Sequence, residues 1–155
     1  MKLSEFSKLL AHIQHSSYPK RGVFVTSVSS KVLTGLMDGV DIHQYELASE
    51  SMNSESPSHA LEKRLNEICA DFISCRKEPS VMLIIDASLL ISYGLSLSMI
   101  YKDVVTPRSL VILCVPSALS DDRLVSLANS VDQDFTVPLK RFKAMLSEPD
   151  SIIEE

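Results

Sequence analysis

Glycine, cysteine and tryptophan are all scarce in this sequence, and no long apolar run is uninterrupted. The 155 residues include four glycines, three cysteines and no tryptophan. So few glycines argue against a loop that cradles phosphates, because such loops use several glycines close together. Three cysteines at unpatterned spacing do not form a disulfide framework. The most apolar region, residues 81–101, contains Asp86 and further polar residues, so we predict no membrane span and a soluble, intracellular protein.

Positive charge is also in deficit. Lysine and arginine number 15 against 20 aspartates and glutamates, which gives a net charge of −5. A domain that holds nucleic acid mainly through phosphates is normally basic, so we expect nucleic acid contacts only through a complex. The remaining composition, 45% hydrophobic and 23% charged, is that of an ordinary globular domain. We predict a single domain over residues 1–147 and a flexible acidic tail over residues 148–155.

Strands and helices are expected to alternate along the chain. Runs of β-branched and apolar residues predict five strands, over residues 23–28, 41–47, 81–85, 110–115 and 135–139. Apolar residues at helical spacing predict helices over residues 3–13, 30–37, 59–76 and 89–105, the last with an irregular start near Gly94. A later helix is predicted with Leu124, Leu127 and Val131 on its apolar face. This alternation predicts an α/β fold with a mainly parallel five-stranded sheet flanked by helices.

The sharpest local feature is an acidic residue at the end of a buried strand. Asp86 directly follows the apolar run of residues 81–85. The carboxyl ends of the strands are where ligands bind in open α/β sheets. In nucleotide hydrolases, an aspartate at this place helps to hold Mg²⁺ beside the phosphates. The alternative is a structural role, in which Asp86 caps the following helix or binds nearby backbone amides.

The residues around Asp86 resemble the second nucleotide-binding motif of the RecA-like superfamily. The matching stretch, residues 84–96, reads IIDASLLISYGLS. KaiC-type ATPases and the accessory subunits of the Elongator complex carry similar sequences there. The resemblance covers residues 81–139, and more loosely residues 23–139. It implies a RecA-like fold for most of the chain.

The stretch after the first strand departs from the pattern of that family. A RecA-like ATPase needs G-x-x-x-x-G-K-[ST] at this point, whereas residues 26–35 read TSVSSKVLTG. Neither loop glycine is in place, and Lys31 is followed by Val32 where a hydroxyl that binds Mg²⁺ is required. The β-branched Val28 also resists the positive φ angles of a phosphate-binding loop. The resemblance therefore implies a RecA-like fold without that loop, in which Lys31 and Asp86 are remnants of a nucleotide site.

A RecA-like fold without this loop is expected to bind another protein and not to be an enzyme. Similar silent subunits occur in the Elongator ring and among recombinase paralogues, so the resemblance implies a related RecA-like partner, in DNA repair, recombination or tRNA modification. No cofactor and no metal are expected. Two alternatives stay open: a stoichiometric protein inhibitor similar to SulA, and a degenerate nucleotide-binding sensor. A PIN-type nuclease also has an aspartate after a buried strand, but the later acids here follow in the wrong order.

Two groups of residues are candidates for contacts with other molecules. Apolar residues of the first helix and of the region 89–105 are the expected protein interface, namely Leu3, Phe6, Leu10, Met99 and Tyr101. A small basic group after the last predicted strand is the candidate phosphate contact, namely Lys140, Arg141 and Lys143. No aromatic residues are interleaved with this basic group, so stacking on nucleic acid bases is not predicted.

Overall fold

Four parallel strands form the centre of the fold. A computed structural model of the chain describes residues 2–17, 22–26, 28–47, 56–87, 89–92, 95, 97–115, 124–126, 136–138 and 151–153. The four strands are β1 (Val23–Thr26), β2 (Asp41–Glu46), β3 (Ser80–Ile85) and β4 (Ser109–Cys114). Each overlaps one of the first four strands predicted from the sequence. The α/β class with a parallel sheet is therefore confirmed.

The order of the strands in the sheet differs from their order in the chain. The sheet runs β2-β3-β4-β1, and a short strand β7 (Ser151–Ile153) lies parallel to β1 at the far edge. Strand β1 pairs with β4 so that Val23 lies opposite Val111 and Thr26 lies opposite Cys114. Strand β2 forms the other edge and pairs with β3.

The apolar character of the strands explains their places in the sheet. Every residue of β1 and β4 is buried, and so is almost every residue of β3. A strand that is covered on both faces needs a continuous apolar run, because successive side chains point to opposite faces. Strand β2 carries the mixed sequence DIHQYE and is only partly buried, as expected at an edge.

Helices cover both faces of the sheet. On one face lie α1 (Leu3–Ile13) and α2 (Ser30–Gly35). On the other lie α3 (Pro57–Cys75), the short helix α4 (Leu89–Ser92) and a π-helix (Ile100–Val104). The chain therefore passes over one face between β1 and β2, and over the opposite face between β2, β3 and β4. Within the described part of the chain, none of the helices combines the length and the apolar character that crossing a bilayer requires.

The helix predictions hold for α1 and α3 and hold only in part after β3. The observed bounds of α1 match the predicted ones, and α3 begins at Pro57, whose fixed φ angle suits the first turn of a helix. The helix predicted over residues 89–105 is divided into α4 and the π-helix, with non-helical residues at Leu95 and Leu97 between them. Gly94, near which an irregularity was predicted, lies outside the described residues.

The carboxyl-terminal region differs most from the sequence-based prediction. The expected fifth strand lies outside the main sheet, because β6 (Thr136–Pro138) pairs antiparallel with β5 (Leu124–Ser126) in a separate two-stranded ribbon. Leu124 was expected on a helix and lies in β5 instead. Part of the expected flexible tail forms β7, since the side chain of Ile153 is buried beside β1. Short apolar stretches fit strand and helix patterns equally well, which explains the error at Leu124.

Candidate functional site

A crevice lies where β1, β3 and β4 end. Its volume is about 270 Å³, close to the lower limit for a small-molecule site. The described residues that line it come from the ends of β3 and β4 and from the segments that follow the three strands: Val28, Ser29, Ser30, Ile85, Asp86, Cys114 and Val115. We call it the strand-end crevice. Because β1 leads to a helix on one face and β3 to a helix on the other, the chain diverges here, as it does at ligand sites of parallel sheets.

Asp86 lies in the strand-end crevice, as the sequence predicts. It directly follows β3, it is 8% exposed, and its φ angle is 61°. Aspartate tolerates this left-handed conformation better than most residues with a side chain do. The turn is held in place because the Ala87 N–H donates to the Cys114 carbonyl at 3.0 Å, and the Leu89 N–H donates to the Asp86 carbonyl at 3.1 Å. Asp86 is thus the acidic group among the described residues that line the crevice.

Lys31 lies at the start of α2, next to residues that line the crevice. Helix α2 begins at Ser30, and Lys31 is exposed on its first turn. The described residues that line the crevice include Ser29 and Ser30 but not Lys31. The pairing of Lys31 with Asp86 in one nucleotide site therefore stays a prediction.

The turn after β1 uses its polar groups internally. The Val28 N–H donates to Thr26 Oγ1 at 3.0 Å, and Thr26 Oγ1 donates to the Ile153 carbonyl at 2.8 Å. The Ser29 hydroxyl accepts a hydrogen bond from the Val32 N–H at 3.3 Å and so caps α2. The Val28 side chain is itself buried. A phosphate-binding loop instead turns consecutive backbone N–H groups toward the ligand, whereas the Val28 and Val32 N–H groups of this turn are hydrogen-bonded to side chains of the chain itself.

Sequence reasoning missed two residues of this region. Thr26 is fully buried and joins the turn to β7, although Thr26 and Ile153 are 127 positions apart in the chain. Cys114 ends β4 and lines the crevice, where burial and then the charge of Asp86 raise the pKa of its thiol to about 12. The thiol is therefore protonated at neutral pH and is a poor nucleophile. The one sequence signal that could have identified Thr26 is that it is a polar residue in an otherwise apolar strand.

The predicted protein interface is corrected for two of its five residues. Phe6 and Leu10 are 0% and 1% exposed, and they pack against the sheet within this chain. Phe6 meets Phe24 edge to face, with the ring centres 5.5 Å apart. Side chains so enclosed are not available to a partner. Leu3, Met99 and Tyr101 are partly exposed and pack at the margin of the core.

The candidate phosphate contact formed by Lys140, Arg141 and Lys143 lies outside the described residues. In the described ranges, no cluster of three or more histidine, cysteine or acidic side chains is placed to hold a metal ion. All three cysteines are free thiols.

Comparison of the chain with protein-family models, with curated proteins and with solved structures gave no significant match. Its function is therefore inferred from its own residues.

Proposed function

We propose that this protein is a non-catalytic RecA-like subunit that acts as a scaffold by binding another protein. The observation that carries this proposal is the closed turn after β1. There, the Thr26 hydroxyl accepts a hydrogen bond from the Val28 N–H, and the Ser29 hydroxyl accepts one from the Val32 N–H. The fold offers a crevice where nucleotides bind in related architectures, but two of the backbone N–H groups beside it, those of Val28 and Val32, are already hydrogen-bonded within the chain.

The arrangement of the sheet supports the RecA-like part of the proposal. Strand β4 lies between β1, which precedes the altered loop, and β3, which precedes Asp86. RecA-like nucleotidases likewise place a strand between the one that precedes their phosphate loop and the one that precedes their metal-binding acid. The helices on both faces agree with the same family.

A nucleotide sensor is the second candidate, because Asp86 does occupy the crevice. Against it stands the charge of the site. Asp86 is the only charged residue among the described ones that line the crevice, and Lys31 is not among them. A carboxylate repels phosphates unless a cation lies between them. The scaffold proposal explains both the closed turn and the missing positive charge.

Nucleotide binding to the purified full-length chain separates these two candidates. Melting temperatures are compared without ligand and with ATP, ADP or ATP plus Mg²⁺, at millimolar concentrations. A ligand at 100 times its Kd stabilises a protein by about 2.7 kcal/mol, which produces a clear shift. The proposal expects no shift. A shift that disappears in Asp86→Asn would overturn it in favour of the sensor.

Affinity purification of the tagged full-length chain tests the scaffold directly. We expect a stoichiometric complex with a protein of similar fold, identified by mass spectrometry. Tyr101→Ala should weaken the complex, whereas Ile73→Ala removes a similarly apolar but 40% exposed side chain from α3 and should not. Failure to recover any stoichiometric partner contradicts the scaffold. A complex with one target of unrelated fold supports the inhibitor alternative.

A further inference from the structure

Strand β2 presents an open edge of the sheet. It is the end strand, and it pairs with β3 through its odd-numbered residues. The Asp41 N–H donates to the Pro79 carbonyl and the Leu47 N–H donates to the Ile85 carbonyl, at 2.9 and 3.2 Å. In a parallel pair, alternate residues direct both backbone groups to the same side. The backbone groups of Ile42 and Gln44 therefore point away from the sheet.

These outward groups have no hydrogen-bond partner among the described residues. Gln44 is exposed and Ile42 is half-buried, so the edge is open to solvent. Native proteins commonly protect such edges with proline, lysine or a β-bulge. Strand β2 contains neither residue, and its pairing with β3 runs without a break from Asp41 to Glu46.

The side chains of β2 hold this edge in an extended conformation. The Asp41 carboxylate accepts hydrogen bonds from the Lys77 N–H at 2.9 Å and from His43 at 2.8 Å. The Tyr45 hydroxyl donates to Asp71 on α3 at 2.5 Å. The ring of His43 packs edge to face on Phe72, with the ring centres 5.4 Å apart. The edge is thus already ordered before any partner arrives.

We propose that β2 pairs antiparallel with β2 of a second copy of this chain, around a two-fold axis at His43. Ile42 then lies opposite Gln44 of the other copy, and each of these two pairs exchanges two N–H···O=C bonds. The two sheets become continuous across the axis. This inference concerns self-association and does not rest on the proposed scaffold function.

The second copy is a better occupant than a flexible peptide. Ordering a flexible segment costs about as much free energy per residue as a new hydrogen bond returns, or more. A second β2 edge is already ordered by the contacts of Asp41, His43 and Tyr45. A two-fold axis also lets one surface complement itself. Four hydrogen bonds and their flanking side chains make a small interface, so we expect a weak, concentration-dependent dimer.

The charges on the edge suit this register. Asp41 lies opposite Tyr45 of the second copy and diagonal to its His43, so no two acidic side chains face each other across the axis. A register centred on Gln44 would instead pair Ile42 with Glu46. The Glu46 carbonyl already accepts a hydrogen bond from Arg64 Nε at 3.2 Å. The register at His43 uses only the groups that have no described partner.

Gln44→Pro tests the pairing and leaves the rest of the sheet intact. Proline removes the outward N–H of residue 44, which β3 does not use, and edge strands tolerate proline at such a position. Two of the four new hydrogen bonds are lost by symmetry, and the ring obstructs the approach. We expect the dimer dissociation constant to rise at least about tenfold in sedimentation equilibrium. Gln44→Thr keeps the N–H and should dimerise as the natural chain does.

Two outcomes of this experiment overturn the proposal. One is that the natural chain stays monomeric at protein concentrations up to about 1 mM, in which case β2 does not pair with a second copy and any partner of this edge is another molecule. The other is a Gln44→Pro variant that dimerises as tightly as Gln44→Thr. Circular dichroism and urea unfolding check that each variant is folded, so that a loss of the dimer is not caused by unfolding.

Cysteine cross-linking tests the register. His43→Cys, in a Cys75→Ser background that removes the exposed native thiol, places two cysteines directly opposite each other in a non-hydrogen-bonded pair. We expect oxidation to give a covalent dimer efficiently. Gln44→Cys in the same background is the matched control and should cross-link poorly. Cross-linking that is stronger at position 44 than at position 43 refutes the proposed axis.

Discussion

Replacing Thr26 by valine should destabilise the protein far more than its similar size suggests. Valine keeps the volume and the β-branching of threonine but removes the hydroxyl. The buried Val28 N–H and the buried Ile153 carbonyl then lose their shared partner. An orphaned buried polar group costs about 1–3 kcal/mol, so the two predict a loss of about 2–6 kcal/mol in the free energy of unfolding. Against a typical total of about 5–15 kcal/mol, this loss is readily measured.

Urea unfolding of the natural chain, Thr26→Val and Thr26→Ser provides the assay. Serine keeps the hydroxyl and loses one buried methyl group, which costs about 0.5–1.5 kcal/mol. Amide hydrogen exchange adds a local readout, because the Val28 N–H should exchange faster only in the valine variant. Equal stabilities of the serine and valine variants would refute the role assigned to the Thr26 hydroxyl. So would an unchanged exchange rate at Val28.

Three further predictions concern the core and the thiols. Phe6→Ala should lower the free energy of unfolding in urea by about 3–5 kcal/mol, because the ring of Phe6 is fully enclosed, and Phe6→Leu should lower it less. A loss below about 1 kcal/mol for Phe6→Ala would contradict the burial of this ring. A thiol reagent should label only the exposed Cys75 in the native chain, because burial raises the pKa of the thiols of Cys69 and Cys114. All three cysteines should be labelled after unfolding. Labelling of all three in the native state would contradict the burial of Cys69 and Cys114. Ser80 and Ser109 share a buried hydrogen bond of 2.7 Å, so each alanine substitution should cost about 1–3 kcal/mol, and the double variant should cost less than the sum of the two. Additive costs in that cycle would show that the two hydroxyls act separately.

The elements that sequence reasoning located well are those with a strong local pattern. The apolar runs of β3 and β4 are continuous because both faces of these strands are covered. Helix α1 repeats its apolar residues at helical spacing, and its observed bounds are those that the pattern predicts. Asp86 was predicted at the end of a buried strand, and it lies there in the strand-end crevice.

The elements that sequence reasoning misplaced have weak patterns or depend on distant partners. Residues around Leu124 fit a helix by spacing but pair as a strand with β6. Ile153 belongs to an acidic tail by composition, yet it is buried beside β1 and accepts a hydrogen bond from Thr26. Windows of a few residues do not contain the information that selects these partners.

The sequence by itself determined the alternation of strands and helices, the acid at the end of β3 and the absence of a glycine-rich phosphate loop. Each of these depends on residues that are neighbours in the chain. Only the tertiary structure decided that Phe6 belongs to the core, that Cys114 lines the crevice and that β2 is an edge strand of the sheet. These facts depend on the order of the strands and on which helix covers which face. Contacts between distant residues set both, and local periodicity does not encode them.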